Sequence, residues 1–208
     1  MEIKYVCSLG SLCHSAEILK SNNLKICSYP FDWIFTSPAT IIDCISDDFK
    51  KFLDKSYYIS KGPNVAGHSI YNSLNMFAHH NPLTNETEYN YYIRCVDRFK
   101  QLLKYDGHKL FTMTFVNGEH GYHSNNFKQR IIEFNNELSK YATNYTLLCI
   151  THFQDTQRNQ IFTYNDNIHF LELHTLSDST GVEFSNSDDN NYLNNIIKST
   201  YNFNIAQV

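Results

Sequence analysis

Glycine and proline are scarce in this chain, seven and four among 208 residues, tryptophan occurs once, and charged side chains make up only 18%. The shortage of Gly and Pro excludes a linker-rich chain, and low charge beside 15 Tyr and 15 Phe excludes a disordered one. Long apolar runs are missing too: none approaches the roughly 20 residues that span a bilayer, so no membrane partner is expected. The opening, "MEIKYVCSLG", is too short and too polar for a secretory apolar region, and a cytoplasmic location is expected. No Lys/Arg block occurs and the formal charge is −4, which offers little to a phosphate backbone, so nucleic acid is not an expected partner. Six cysteines (Cys7, Cys13, Cys27, Cys44, Cys95, Cys149) contain no CxxC pair. That spacing excludes a zinc knuckle or a disulfide scaffold and leaves reduced, mostly buried thiols.

What is present is a succession of apolar patterns. Ile3 to Leu9 reads as a buried strand ended by Gly10, followed by Leu12, Ala16 and Leu19 at helical spacing, with Ser11 available as the cap and Asn22-Asn23 as the stop. A second helix is expected from Ser37 and Pro38, with Ile41, Ile42 and Ile45 on one face, and a short third from Asp47 to Leu53. Residues 55–88, with Gly62-Pro63, Gly67, Asn81-Pro82 and several histidines, read as a long functional loop. A helix then places Tyr92, Val96, Phe99 and Leu103 in register. Beyond it come "KLFTMTFV" (strand), "NFKQRIIEFNNELSKYA" (helix), "YTLLCITHF" and "IHFLELHT" (strands) and "NYLNNIIKSTYNF" (helix). Strands alternating with helices predict one α/β domain over 1–208, a three-layer sandwich around a mostly parallel, Rossmann-like sheet. Sites in such sheets gather at the carboxyl ends of the strands, where Gly10 to Cys13 would fall.

Cys13 follows a strand and a tight turn at the start of a helix. Unpaired N–H groups and the positive helix end favour a thiolate there, although a free cysteine is also among the most buried residue types. A thiol nucleophile needs an imidazole base held by a third polar group. His79 and His80 in "MFAHHNP", with Asn81 beside them, and His68 in "VAGHSIY" lie in the long loop, while His152 and His174 close predicted strands. Asp32, beside Trp33, is the candidate to orient an imidazole. His79, His80, His120 and His123 are the candidate metal set, but adjacent histidines do not easily point at one ion, and no metal or other cofactor is expected. Arg94 and Arg98, one helical turn apart, suit an anionic group or a solvated face.

The segments "SLGSLCHSAEILKSNNL", "SYPFDWIFTS", "CISDDFKKFL", "MFAHHNPL" and "YYIRCVDRF" together resemble the DUF1796 family, described as papain-like cysteine peptidases and found in bacteria and large DNA viruses. The resemblance covers the first half, to about Phe99. It implies Cys13 as nucleophile and His80 or His79 as base, an α+β papain-like arrangement as the alternative fold, and, for a viral source, the host cytoplasm. The leading expectation is a cysteine-dependent hydrolase, peptidase or acyl transferase acting on a peptide or small-molecule substrate, with N–H groups around Ser11 to Cys13 holding the oxyanion. Ser11, His68, Asn81, Arg94 and Arg98 are the candidate substrate-binding residues. Two other expectations stand beside it: a glycan- or phosphosugar-directed transferase or hydrolase using an Arg/His anion site, and a non-catalytic binding module with an exposed aromatic patch.

Overall fold

Side chains alternate across each strand, so a strand buried on both faces delivers its odd and even residues to different cores. The computed structural model describes residues 2–118 and 121–206. In chain order the elements are β1 (Glu2–Ile3), β2 (Tyr5–Ser8), α1 (His14–Ser21), α2 (Pro38–Ser46), α3 (Lys50–Leu53), β3 (Tyr58–Gly62), β4 (Val65–His68), β5 (Asn72–Phe77) and α4 (Glu86–Lys104). There follow β6 (Lys109–Phe115), α5 (Phe127–Leu138), β7 (Tyr145–Gln154), β8 (Asn159–Asn165), β9 (Ile168–Thr175), α6 (Ser187–Thr200) and β10 (Asn202–Phe203).

The largest sheet has the order β2-β6-β7-β9-β8. On β6, Phe111, Met113 and Phe115 enter a core shared with α2, α4 and α5, whereas Leu110 enters a second core shared with α1 and α6. On β7, Leu147 and Cys149 go to the first, and Leu148 and Ile150 to the second. The first core is rich in aromatics: Phe31, Phe49, Phe52, Phe77, Tyr92 and Phe99 meet largely edge to face, the geometry that ring quadrupoles favour.

The expectation of a three-layer sandwich around a mostly parallel, Rossmann-like sheet is corrected. The chain forms a mixed α/β fold in which the strands of the described residues are divided over three sheets. In the largest, β2, β6, β7 and β9 run parallel but β8 turns back antiparallel on β9. A second sheet, β3-β4-β5, is antiparallel throughout, and β1 pairs with β10 alone. The difference comes from two stretches without helical or buried-strand periodicity. Residues 58–77, inside the segment read as loop, form the antiparallel meander, and the polar β8 is exposed along most of its length.

Helix starts follow their capping chemistry. Ser37 Oγ accepts the Thr40 N–H at 3.2 Å with Pro38 in the first turn of α2, and Asn85 Oδ1 accepts from Thr87 and Glu88 N–H at the start of α4. β5 leaves register with β4 between Ala66 and His68. Its backbone there crosses Gly67 so closely that a Cβ would stand 2.3 Å from the Ser73 carbonyl oxygen. Only glycine allows that approach.

Candidate active site

The turn between β2 and α1 is tied to the end of β6. Leu9 N–H donates to Thr112 O at 2.8 Å, Thr114 N–H to Gly10 O at 3.1 Å, and the hydroxyls of Ser11 and Ser15 donate to Thr114 O and Thr112 O. Gly10 has φ +90°, and a Cβ on it would lie 2.2 Å from Thr36 Oγ1, so backbone conformation and space both demand glycine. Ser11 is therefore a buried strut of the turn. The cap position of α1 belongs to Cys13 itself, which has φ −57° and ψ −27° and caps no N–H with its side chain. Among the described residues, the N–H groups of Leu12 and Cys13 have no acceptor other than the Cys13 sulfur.

Cys13 Sγ lies 3.6 Å from His79 Nε2, the contact of a thiol with an imidazole. His79 stands in the turn that leaves β5 and is exposed, whereas Cys13 is 4% exposed. Burial pushes the Cys13 thiol up to about 11, its own N–H working the other way. Here burial outweighs the helix end, because an isolated thiolate loses its water. Burial also raises Cys7, Cys44, Cys95 and Cys149; what distinguishes Cys13 is the imidazole beside it.

The three residues of the His-His-Asn turn go to three different places. The His80 ring stacks on Tyr91 at 5.4 Å and meets Tyr92 edge-on at 5.7 Å, with Nδ1 3.7 Å from Glu88 Oε1. Asn81 is fully buried. Its Nδ2 donates to Ser60 Oγ at 2.9 Å and Gly62 O at 2.6 Å, and its N–H donates to Glu88 Oε2. The turn is thus pinned to α4 on one side and β3 on the other, and His79 is left facing Cys13. Among the described residues nothing accepts from or donates to His79 Nδ1.

The other sequence candidates lie apart from this pair. Asp32 is buried against Lys25, whose ammonium binds its carboxylate, and Asp32 Oδ2 accepts the Tyr29 N–H at 2.9 Å. Burial raises the Asp32 carboxyl, and Lys25 opposes that. His68 is enclosed, stacked on Tyr71 at 4.4 Å and Tyr57 at 5.6 Å. It accepts the Ile70 N–H at Nδ1 and bonds Lys51 O through Nε2 at 3.0 Å. Arg94 is exposed on α4, and Arg98 Nη1 reaches Ser28 O at 3.4 Å. His174 sits between Asp155 and Glu172. His152 bonds Thr175 Oγ1 at 2.7 Å. His120 lies outside the described residues, among which no group of three or more His, Cys, Asp or Glu side chains is placed to hold a metal ion.

Two features were not legible beforehand. His14, next to the thiol, is buried with Nδ1 2.9 Å from Ser179 Oγ, and its N–H donates to Gly181 O at 2.9 Å, so a loop near the far end of the chain anchors the start of α1. Phe184 lies between His14 and His152, at 4.7 and 4.6 Å from their rings. Beside Leu12, a cleft of about 510 Å³ opens between residues 35–40 and β5, lined by Phe35, Thr36, Ser37, Tyr71 and Leu74 among others. A more apolar groove of about 590 Å³ lies between α2 and α5, and neither Cys13 nor His79 lines it. The first cleft reaches Leu12, the residue before the thiol, although Cys13 and His79 are not part of its wall either.

Together these features define a mixed α/β protein in which a buried cysteine, on the turn after β2, meets an exposed histidine. The chain belongs to the DUF1796 family, whose model, described as "Putative papain-like cysteine peptidase (DUF1796)", matches residues 4–160. No curated protein and no solved structure matches it. Among the described residues no helix is long and apolar enough to cross a membrane.

Proposed function

We propose that the protein is a cysteine-dependent acyl hydrolase acting on peptide-type bonds, with Cys13 as nucleophile and His79 as base. The observation that carries this reading is the 3.6 Å Sγ···Nε2 contact. In the reaction, His79 Nε2 takes the thiol proton as Sγ bonds to the substrate carbonyl carbon. The oxyanion is received by the N–H groups of Leu12 and Cys13, which donate to no backbone carbonyl among the described residues. The imidazolium then protonates the leaving group as the old bond breaks, giving a thioester that water, activated by the same imidazole, hydrolyses. An amine or alcohol in place of water makes the reaction an acyl transfer.

The cleft beside Leu12, the residue before the thiol, is compatible with the reading, since its walls mix apolar Phe35 and Leu74 with hydroxyls of Thr36, Ser37, Thr40 and Tyr71. The test is the pH dependence of Cys13 alkylation by iodoacetamide, read by mass spectrometry with half-buried Cys27 as internal reference. Wild-type protein should alkylate Cys13 with an imidazole-dependent rate below pH 8, and His79→Ala should slow Cys13 but not Cys27. Equal rates at Cys13 in the two proteins would refute the pair.

A further inference from the structure

β8 is the outer strand of the largest sheet, and its sequence, "NQIFTYN", contains no charged residue, proline or glycine. Seven successive residues pair with β9 from Asn159↔His174 to Asn165↔Ile168, with no bulge. Counting from the two-residue turn at Asp166 and Asn167, alternate residues Asn159, Ile161, Thr163 and Asn165 bond to β9. The N–H and C=O groups of Gln160, Phe162 and Tyr164 therefore point outward along the edge. Among the described residues, one partner meets that row: Asn159 Oδ1 accepts the Gln160 N–H at 2.8 Å.

Soluble proteins protect such edges with lysine, proline, a bulge, shortness or a covering element, since an open edge is a template for another strand. β8 has none of these. Ile161 and Tyr164 are 45% and 62% exposed. Lys128 bonds Thr163 Oγ1 at 3.0 Å and lies over the Phe170 ring, on the sheet's face, and Arg158, which precedes the strand, is paired with Asp189 at 2.6 Å, so neither cation stands within the strand itself.

The residue order supplies the partner. When a second β8 is laid antiparallel about Phe162, Phe162 meets its counterpart, Ile161 meets Thr163, Gln160 meets Tyr164, and Asn159 meets Asn165 at both ends. Asn159 and Asn165 oppose amide to amide, Ile161 and Thr163 are β-branched residues of similar size, and Gln160 lies against the Tyr164 phenol. A strand without charge has nothing to select a charged partner, whereas it fits itself without repulsion. We propose that β8 pairs with β8 of a second copy of this chain, joining two five-stranded sheets across a two-fold axis. The Phe162 and Tyr164 rings, stacked 5.9 Å apart at 7°, then run on into their counterparts as a four-ring row over the seam.

The experiment combines sedimentation of the full chain with amide hydrogen exchange across a dilution series. The expected result is a concentration-dependent dimer in which the Phe162 and Tyr164 amides exchange at least tenfold more slowly than in dilute protein. The Ile161 and Thr163 amides, already bonded to β9, should not change. Ile161→Lys should shift the dimerisation equilibrium at least tenfold toward monomer, and so should Tyr164→Pro, which removes an outward N–H without breaking a bond to β9. Circular dichroism confirms that each variant is folded, and Ile161→Lys decides if the proline variant is not. A monomer at every concentration, a dimer indifferent to Ile161→Lys, or a dimer with unprotected Phe162 and Tyr164 amides would overturn the proposal.

Discussion

Cys13 Sγ and His79 Nε2 stand 3.6 Å apart although 66 positions separate them in the chain. The neighbouring His80 ring is turned away, onto Tyr91. One residue of register in this turn decides which imidazole meets the thiol, because successive side chains on an extended or turning backbone leave in different directions.

The first prediction separates the two histidines. His79→Ala should lower turnover of an ester or peptide substrate by about 10²–10⁴-fold, the usual worth of a positioned base, with little change in thermal stability. His80→Ala removes two ring contacts and should instead cost roughly 1–2 kcal/mol of stability, read by urea unfolding, while leaving alkylation of Cys13 nearly intact.

Asn81→Ala should act on the same chemistry from a distance. The substitution leaves Ser60 Oγ and Gly62 O without the Asn81 donor. Loss of buried hydrogen bonds of this kind costs about 1–3 kcal/mol. Chemical denaturation measures that loss, and the Cys13 alkylation rate should fall with it because the turn carrying His79 is no longer pinned to β3.

Asp32 gives a contrasting case. Its carboxylate and the Lys25 ammonium are nearly enclosed, with side-chain exposures of 2% and 12%. Lys25→Met strands a buried carboxylate and should destabilise the fold by roughly 3–5 kcal/mol. The double change Lys25→Met with Asp32→Leu should recover part of that, and neither should remove the thiol–imidazole contact in the folded fraction. Thermal unfolding combined with Cys13 alkylation distinguishes the two effects.

Acid should weaken the fold through His14 and His152. Burial holds His14 down from 6.5 to about 3, with the His152 charge adding to it, and holds His152 down to about 4. Between the folded and unfolded values the unfolded chain binds more protons, so stability falls as pH falls, beginning near pH 6.5 and continuing to about pH 3. At about 1.4 kcal/mol per pH unit, full protonation of His14 alone is worth on the order of 5 kcal/mol. Urea midpoints of wild type and His14→Asn from pH 7 to 3 check this: the variant's curve should be flatter.

Local pattern carried much of the fold. Ser37-Pro38 and the apolar spacing of α4 marked their helices, and "KLFTMTFV" and "YTLLCITHF" marked strands, since capping and burial on both faces are written in adjacent residues. β8 and the β3-β4-β5 meander were not readable that way. Their side chains are largely polar or exposed, so strand pairing there rests on backbone partners that lie outside the segment.

The sequence by itself determined a reduced, aromatic-rich α/β chain, its family, and a cysteine at a strand–turn–helix junction, because these depend on composition, short-range spacing and ordered motifs. The tertiary structure alone decided that His79 rather than His80 meets Cys13, that Asn81 and His68 are buried braces, that Asp32 belongs to Lys25, and that the sheet is mixed. Each of those is a contact between segments distant in the chain. Such contacts are set by packing and by satisfaction of buried polar groups, neither of which leaves a local signature.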